Sequence, residues 1–427
     1  MLNRLLMRYG YMSTVTVSGC IKQSDGAYAT SYKNLTLTSA FQPIFSISHR
    51  RPVGYEGLLR ATDINGQAYS PLDVLMLPQS SFAHLALDRT CRKLHLRNFA
   101  CQQTGNSWLF LNLNSQCLVT ERPDTGFMNG LFELAGIPPR RIVIEILESE
   151  IDDRDYLKQL ITHFRSLGCL IAIDDFGAGH SNFDRIWELE PDIVKIDRSL
   201  IRRAGISSKI ERILIGIVSL IHEAGSLALI EGVETEKEAL IAIAANADMV
   251  QGYYFANPDP IICNNQDFAR DIDALLHTQQ RLRKLNTNEL HQHFIKFEAR
   301  YKEAIDLFLT TSKFESCADI LFEEERAVRC YLLDEEGYQL ARSLYSPRYR
   351  EQLDERFTPL LAGDYANWSH KHYHYRAINR PGKIQVSRPY LSVAGSHMCI
   401  TVSQAIVLYD KLYVFCCDLE WQDEEGV

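Results

Sequence analysis

Residues 169–179 read CLIAIDDFGAG: five apolar residues, two adjacent carboxylates (Asp174 and Asp175), then a glycine-rich turn. A short continuous apolar run closed by turn residues is the pattern of a strand buried on both faces. The same pattern recurs through the first 260 residues: AFQPIFSI from Ala40, VGYEGLL from Val53, WLFLNL from Trp108, RIVIEIL from Arg141, DIVKID from Asp192, LALIEGV from Leu227 and MVQGYYF from Met249. Polar side chains fall near the ends of these runs: Glu56, Asn112, Glu145, Asp174, Asp175, Lys195, Glu231 and Glu234. If the strands are parallel neighbours in one barrel, the acids converge on one face. So many negative charges in a partly desolvated pocket would repel strongly, and divalent cations are the usual remedy. Oxygen-rich sites suit Mg2+ or Mn2+.

Helical patterns fill the gaps. Leu157, Leu160, Ile161, Phe164 and Leu167 follow helical spacing, with Gly168 suited to the C-terminal cap. Ile210, Ile213, Leu214, Ile217, Val218 and Ile221 repeat the pattern up to Gly225, and Thr235 with Glu238 forms a capping box. Eight strands alternating with helices predict an α/β fold, a TIM-type (β/α)8 barrel, with a doubly wound open sheet as the alternative.

The rest of the chain reads differently. We divide it as a leader over 1–36, a barrel over 37–262, a helical linker over 263–326 and a smaller α+β domain over 327–427. AVRCYLLDEEGYQLA predicts two strands around the turn DEEG, and KIQVSRPYLSV, HMCITVSQAIV and KLYVFCCDLEW predict further strands. The run from His370 to His374 reads as a solvated hairpin or loop rather than a metal site, and Cys416 and Cys417 as core residues.

Composition bounds the function. The chain has 427 residues, 46% of them hydrophobic and 23% charged, with a formal net charge of -9. That balance argues against a general DNA or RNA polymer binder. The eleven cysteines show no CxxC spacing, which predicts reduced thiols in a cytoplasmic protein. No run reaches the roughly 18 apolar residues of a membrane span. The N-terminal MLNRLLMRYGYM is basic and mildly apolar, and Val17 to Cys20 resembles a lipoprotein cleavage box. The preceding stretch is too short and polar for a signal segment, so a flexible leader, with a start at Met1 or Met12, is the expectation.

The ordered set FQPIF, YEGLLR, LNLN, EILE, DDFGAG, VKID, EGVET and QGYYF resembles the EAL family of bacterial cyclic-di-GMP phosphodiesterases. The signature triplet reads Glu56-Gly57-Leu58, with Gly in place of the usual Ala; Leu147 and His180 also depart from the family pattern. The resemblance implies a two-metal site. Glu56, Asn112, Glu145 and Asp174 would hold one Mg2+ or Mn2+; Asp174, Asp175 and Glu231 would hold the second. Glu56, Lys195, Glu231 and Asp175 would be catalytic, Lys195 orienting the attacking water or neutralising phosphate charge. Gln42, Leu59, Arg60 and Gln251 would bind cyclic di-GMP. Glu148 and Glu234 would support the loop around Asp174 and Asp175. Asp197 reads as a cap on the following helix rather than a metal ligand. The histidines His49, His84, His95, His163 and His222 read as surface or helix residues.

The implied reaction is hydrolysis of cyclic di-GMP to linear pGpG. The alternatives are a non-catalytic cyclic-di-GMP receptor that signals through its C-terminal domain, and an interaction scaffold. There is no GGDEF-type synthase segment. The family further implies a homodimer. LLDEEGYQLA and VFCCDLEW resemble PAS-like or Cache-like sensory modules, which implies regulation of the barrel and a small ligand for the C-terminal domain.

Overall fold

The computed structural model describes residues 19–23, 26–102, 104–113, 126–147, 154–179, 183–262, 267–350, 366–391 and 398–421, with backbone alone at 154, 267, 283 and 285–296. It divides into two compact units, 1–282 and 283–427.

The first unit is a closed eight-stranded barrel. Its strands are β1 (Leu35–Ser46), β2 (Arg51–Asp63), β3 (Trp108–Leu113), β4 (Ile142–Leu147), β5 (Leu170–Phe176), β6 (Ile193–Ile196), β7 (Leu227–Ile230) and β8 (Met249–Val250). Neighbours pair in that order, and β1 closes the ring between β8 and β2. All eight apolar runs became barrel strands. One expectation fails: β1 is antiparallel to both β2 and β8, while β2 to β8 are mutually parallel. Only four residues separate β1 from β2, room for a hairpin but not for the crossover a parallel pair needs. The sheet also reaches back beyond residue 37: Tyr28–Tyr32 pairs with the start of β1, so part of the expected leader belongs to the fold. Residues 1–18 lie outside the described residues.

The inside of the barrel is filled by one layer of apolar side chains, Ile44, Phe110, Val143, Ala172, Ile193, Leu229 and Met249, with Val53 packed against it. Gly54 makes room for the largest of them, since a Cβ there would lie 2.6 Å from the Phe110 ring. Outside, the helices pack as their spacing predicts. Leu157, Leu160, Ile161 and Phe164 of the helix Arg154–Leu167 are buried against β3 to β5 residues. Leu214, Val218 and Ile221 of the helix Ser208–Glu223 are buried, whereas Ile213 is exposed. Thr235 and Glu238 form the expected capping box.

The second unit is built on an antiparallel sheet: β9 (Ala327–Asp334), β10 (Met398–Leu408) and β11 (Lys411–Glu420), with shorter flanking strands. The expected second strand of the DEEG hairpin is reduced to a single bridge, Leu333 to Gln339. Phe297, Tyr301, Ala304, Ile305 and Phe308, from the stretch read as linker, are buried in the core of this unit beside Phe415 and Cys417. The Tyr301 hydroxyl donates to the Phe415 carbonyl at 2.6 Å. The opposite face of the sheet is covered by the helix His372–Asn379, where a solvated hairpin or loop was expected; His374 is buried and bonds the Asp334 carbonyl.

Candidate active site

The polar ring follows from the period of a strand. Side chains two residues apart share a face. Two residues along β3 to β8 from the apolar layer lie Asn112, Glu145, Asp174, Lys195, Glu231 and Gln251; on β2, Glu56 lies two residues beyond Gly54, the glycine beside Phe110; on β1, which runs the other way, the position is two residues back from Ile44, at Gln42. Gln42 pairs with Glu56 across β1 and β2, and Asn112 with Glu145 across β3 and β4. Glu56 is mid-strand in β2 but marks the end of its parallel pairing with β3.

Asp175 needs a separate explanation, because consecutive residues on a strand point to opposite faces. The pairing of β5 with β6 breaks between Ile173 and Phe176, and Asp175 adopts a left-handed φ of 57°. Asp is among the residues that tolerate this conformation. The bulge lets adjacent acids serve one site. Asp174, Asp175 and Glu231 each place a carboxylate oxygen within 4.8 Å of the others. The Asp175 amide donates to Asp174 Oδ1 at 3.0 Å.

Lys195 sits among the acids. Its Nζ lies 2.5 Å from Glu145 Oε1, 2.6 Å from Glu231 Oε1 and 3.0 Å from Asp174 Oδ1, and its side chain is 1% exposed. Burial opposes the Lys195 charge, but Asp174, Glu145, Glu231 and Glu56 outweigh it and hold its pKa well above the usual lysine range. The acids respond oppositely. Burial pushes Glu145 well above the carboxylate range, against the pull of Lys195. Burial, with Asp174 and Glu56, raises Glu231 to about 8 despite Lys195. Burial and the neighbouring Asp174 and Asp197 raise Asp175 to about 6.

The amides fix Glu56. Asn112 Nδ2 donates to its Oε1 at 2.9 Å and Gln251 Nε2 to its Oε2 at 2.8 Å. Gln251 also reaches Gln42 Oε1 at 3.2 Å, and Gln42 reaches the Ala256 carbonyl. Gly252, after Gln251, lies directly on the Val233 backbone, where any Cβ would overlap it.

The residues present fit a hard divalent cation. Every donor is oxygen: five carboxylates and the amides, against one ammonium. Glu145 Oε2 and Gln251 Oε1 are buried without a hydrogen-bond partner among the described residues. Lys195 meets Oε1 of Glu145 and of Glu231 at ion-pair distance but outside hydrogen-bond geometry, so these oxygens also keep acceptor capacity. Oxygen acceptors with uncompensated charge are what Mg2+, Mn2+ or Ca2+ coordinates.

Three expectations need correction or restriction. Leu59 is buried in a separate cluster with Leu37, Ala61, Val74 and Leu94, on the face opposite Glu56; Leu58 and Arg60 share the Glu56 side of β2. Glu234 is exposed, and its backbone amide donates to Glu238 Oε2 at 2.8 Å. Glu148 lies outside the described residues. Arg60 is half-buried and bonds the Leu59 carbonyl. Asp197 accepts from the Ser199 amide and caps the helix Arg198–Ala204, as expected. His95, read as a surface or helix residue, lies on the helix Ser81–Ala100, buried against Gly57 and bonded to Ser39 at 2.8 Å.

Residues 26–258 match the EAL domain. The chain belongs to the EAL domain family. The EAL-domain containing protein YkuI of Bacillus subtilis is 26% identical over 397 residues, spanning 88% of this chain and 92% of YkuI. A crystal structure of YkuI, in complex with substrate c-di-GMP and calcium, shares the fold with a TM-score of 0.76 at 24% identity, over 91% of this chain and 97% of that one. The cyclic di-GMP phosphodiesterase RocR of Pseudomonas aeruginosa is 31% identical over 126 residues, 29% of this EAL protein and 32% of RocR. No helix among the described residues is long and apolar enough to cross a membrane.

Proposed function

We propose that this protein hydrolyses one phosphodiester bond of cyclic di-GMP to linear pGpG, with Mg2+ or Mn2+ held by the polar ring. The observation that carries the reading is the convergence of Glu56, Asn112, Glu145, Asp174, Asp175 and Glu231 around Lys195 at one mouth of the barrel. The names of relatives support it: RocR is a cyclic di-GMP phosphodiesterase, and YkuI was crystallised with c-di-GMP.

In this reading Glu56, Asn112, Glu145 and Asp174 hold one cation, and Asp174, Asp175 and Glu231 the other. When bound, the cations supply an activated water and offset charge on the phosphoryl oxygens. The protein's own groups position everything else. Lys195 gathers Glu145, Asp174 and Glu231 to one point and contributes positive charge toward a phosphate. Asn112 and Gln251 each fix one Glu56 oxygen. Arg60 and Gln42 sit on the Glu56 side of their strands, where they can contact the dinucleotide.

We further read the second unit as a PAS-like regulatory module and the working form as a cytoplasmic homodimer. The separate core and sheet of the second unit support the first statement. Nine free cysteines among the described residues suit a reducing compartment.

Incubation of the purified protein with cyclic di-GMP and Mn2+, followed by chromatography, tests the reading. The expected result is pGpG from the wild type and none from Glu56→Ala. Tight binding without product would move the protein to the receptor class.

A further inference from the structure

The second unit contains a buried charged cluster unrelated to the barrel. Arg329 on β9 donates through Nε to Asp418 Oδ2 on β11 at 2.6 Å, with side chains 6% and 0% exposed. Asp418 is saturated on its other oxygen. Oδ1 accepts from Thr401 at 2.8 Å, Tyr390 at 3.2 Å and Tyr331 at 3.3 Å. The guanidinium lies against two aromatic rings, 4.7 Å from the Tyr331 centroid and 5.8 Å from the Trp368 centroid. Tyr373 and Tyr390 stack beside them at 6.5 Å.

The arrangement leaves donors over. Arg329 makes its hydrogen bond through Nε alone, and neither Nη group has a partner among the described residues. A structural ion pair would engage the Nη fork as well, because bidentate pairing is the stronger geometry. Asp418 is turned to the Nε edge and held there by three hydroxyls. The Nη pair is thus a planar double donor beside the Tyr331 and Trp368 rings.

We propose that Arg329 is the anchor of a small-molecule site in the second unit, taking a planar carboxylate with an apolar or aromatic body. Two parallel N–H groups match the two oxygens of a carboxylate. The Trp368, Tyr331, Tyr373 and Tyr390 rings supply apolar walls. A carboxylate with a flat apolar body can pack on these rings while it meets the fork, which a phosphate ion cannot. The proposal is independent of the chemistry at the barrel.

Benzoate and acetate, with inorganic phosphate as the comparison, test this on the full-length protein by tryptophan fluorescence and thermal shift. Benzoate is expected to bind more tightly than acetate, raise the melting temperature and change Trp368 emission, while phosphate does neither. Arg329→Lys keeps the charge facing Asp418 but loses the fork, and should weaken benzoate at least tenfold. Trp368→Leu, which leaves the ion pair intact, should weaken benzoate and abolish the emission change, so the test survives if Arg329→Lys does not fold. The proposal is overturned by no response to either carboxylate, by phosphate binding as well as benzoate, or by unchanged affinity in both variants.

Discussion

Gly57 is where this chain departs from the usual family triplet, and His95 supplies the physical reason. A Cβ at Gly57 would lie 3.1 Å from His95 Cβ and Cγ. The imidazole cannot simply swing away, because its Nδ1 is bonded to Ser39. Gly57→Ala should therefore cost about 1–3 kcal/mol, the range for overpacking a filled interior. In a His95→Ala background the same change should cost less. Thermal unfolding of the four-protein cycle measures the coupling, and simple additivity would contradict the account. Lys195 makes a second residue-level case. Lys195→Met would leave Glu145, Asp174 and Glu231 buried without their cation, a loss of about 3 kcal/mol or more. Melting of the metal-free protein should drop by several degrees, and added Mn2+ should restore part of the loss. An unchanged melting temperature would show that Lys195 does not hold the acids.

Among the elements, the helix Asp267–Thr311 carries the clearest prediction. Its C-terminal part gives Phe297, Tyr301, Ala304, Ile305 and Phe308 to the core of the second unit. A fragment beginning at residue 283 should fold, with a cooperative melt by circular dichroism, while one beginning at 327 should not. Two equally cooperative fragments would contradict this packing. The helix was legible as a helix, but its charged and apolar residues did not disclose which unit its apolar face would enter. Strands were easier to read than their directions. The eight apolar runs named the barrel because burial on both faces leaves continuous hydrophobic sequence. The antiparallel setting of β1 was hidden by attention to those runs, yet four residues between β1 and β2 carry the signal. Leu59 was misplaced for a related reason: in YEGLLR the period of two puts Leu58, not Leu59, beside Glu56 and Arg60. Asp174 and Asp175 were readable as a pair, but the left-handed Asp175 that lets both serve one site was not.

At the level of the whole chain, one compact unit bears the polar ring and another bears Arg329 and its aromatic walls. The ring was legible because a strand of period two places one polar residue beyond each member of the apolar layer on β3 to β8, and the sequence shows both. The Arg329 cluster was not, because its members lie far apart along the chain, from Arg329 to Asp418. The central claim is that the ring acts through divalent cations on cyclic di-GMP. The most direct measurement is the rate of pGpG formation by metal-depleted protein as Mn2+ is added. The account predicts no product without metal, a rise that depends cooperatively on Mn2+, and no rise in Glu56→Ala. Product at the same rate in the metal-free protein, or intact dinucleotide at every Mn2+ concentration, would contradict it.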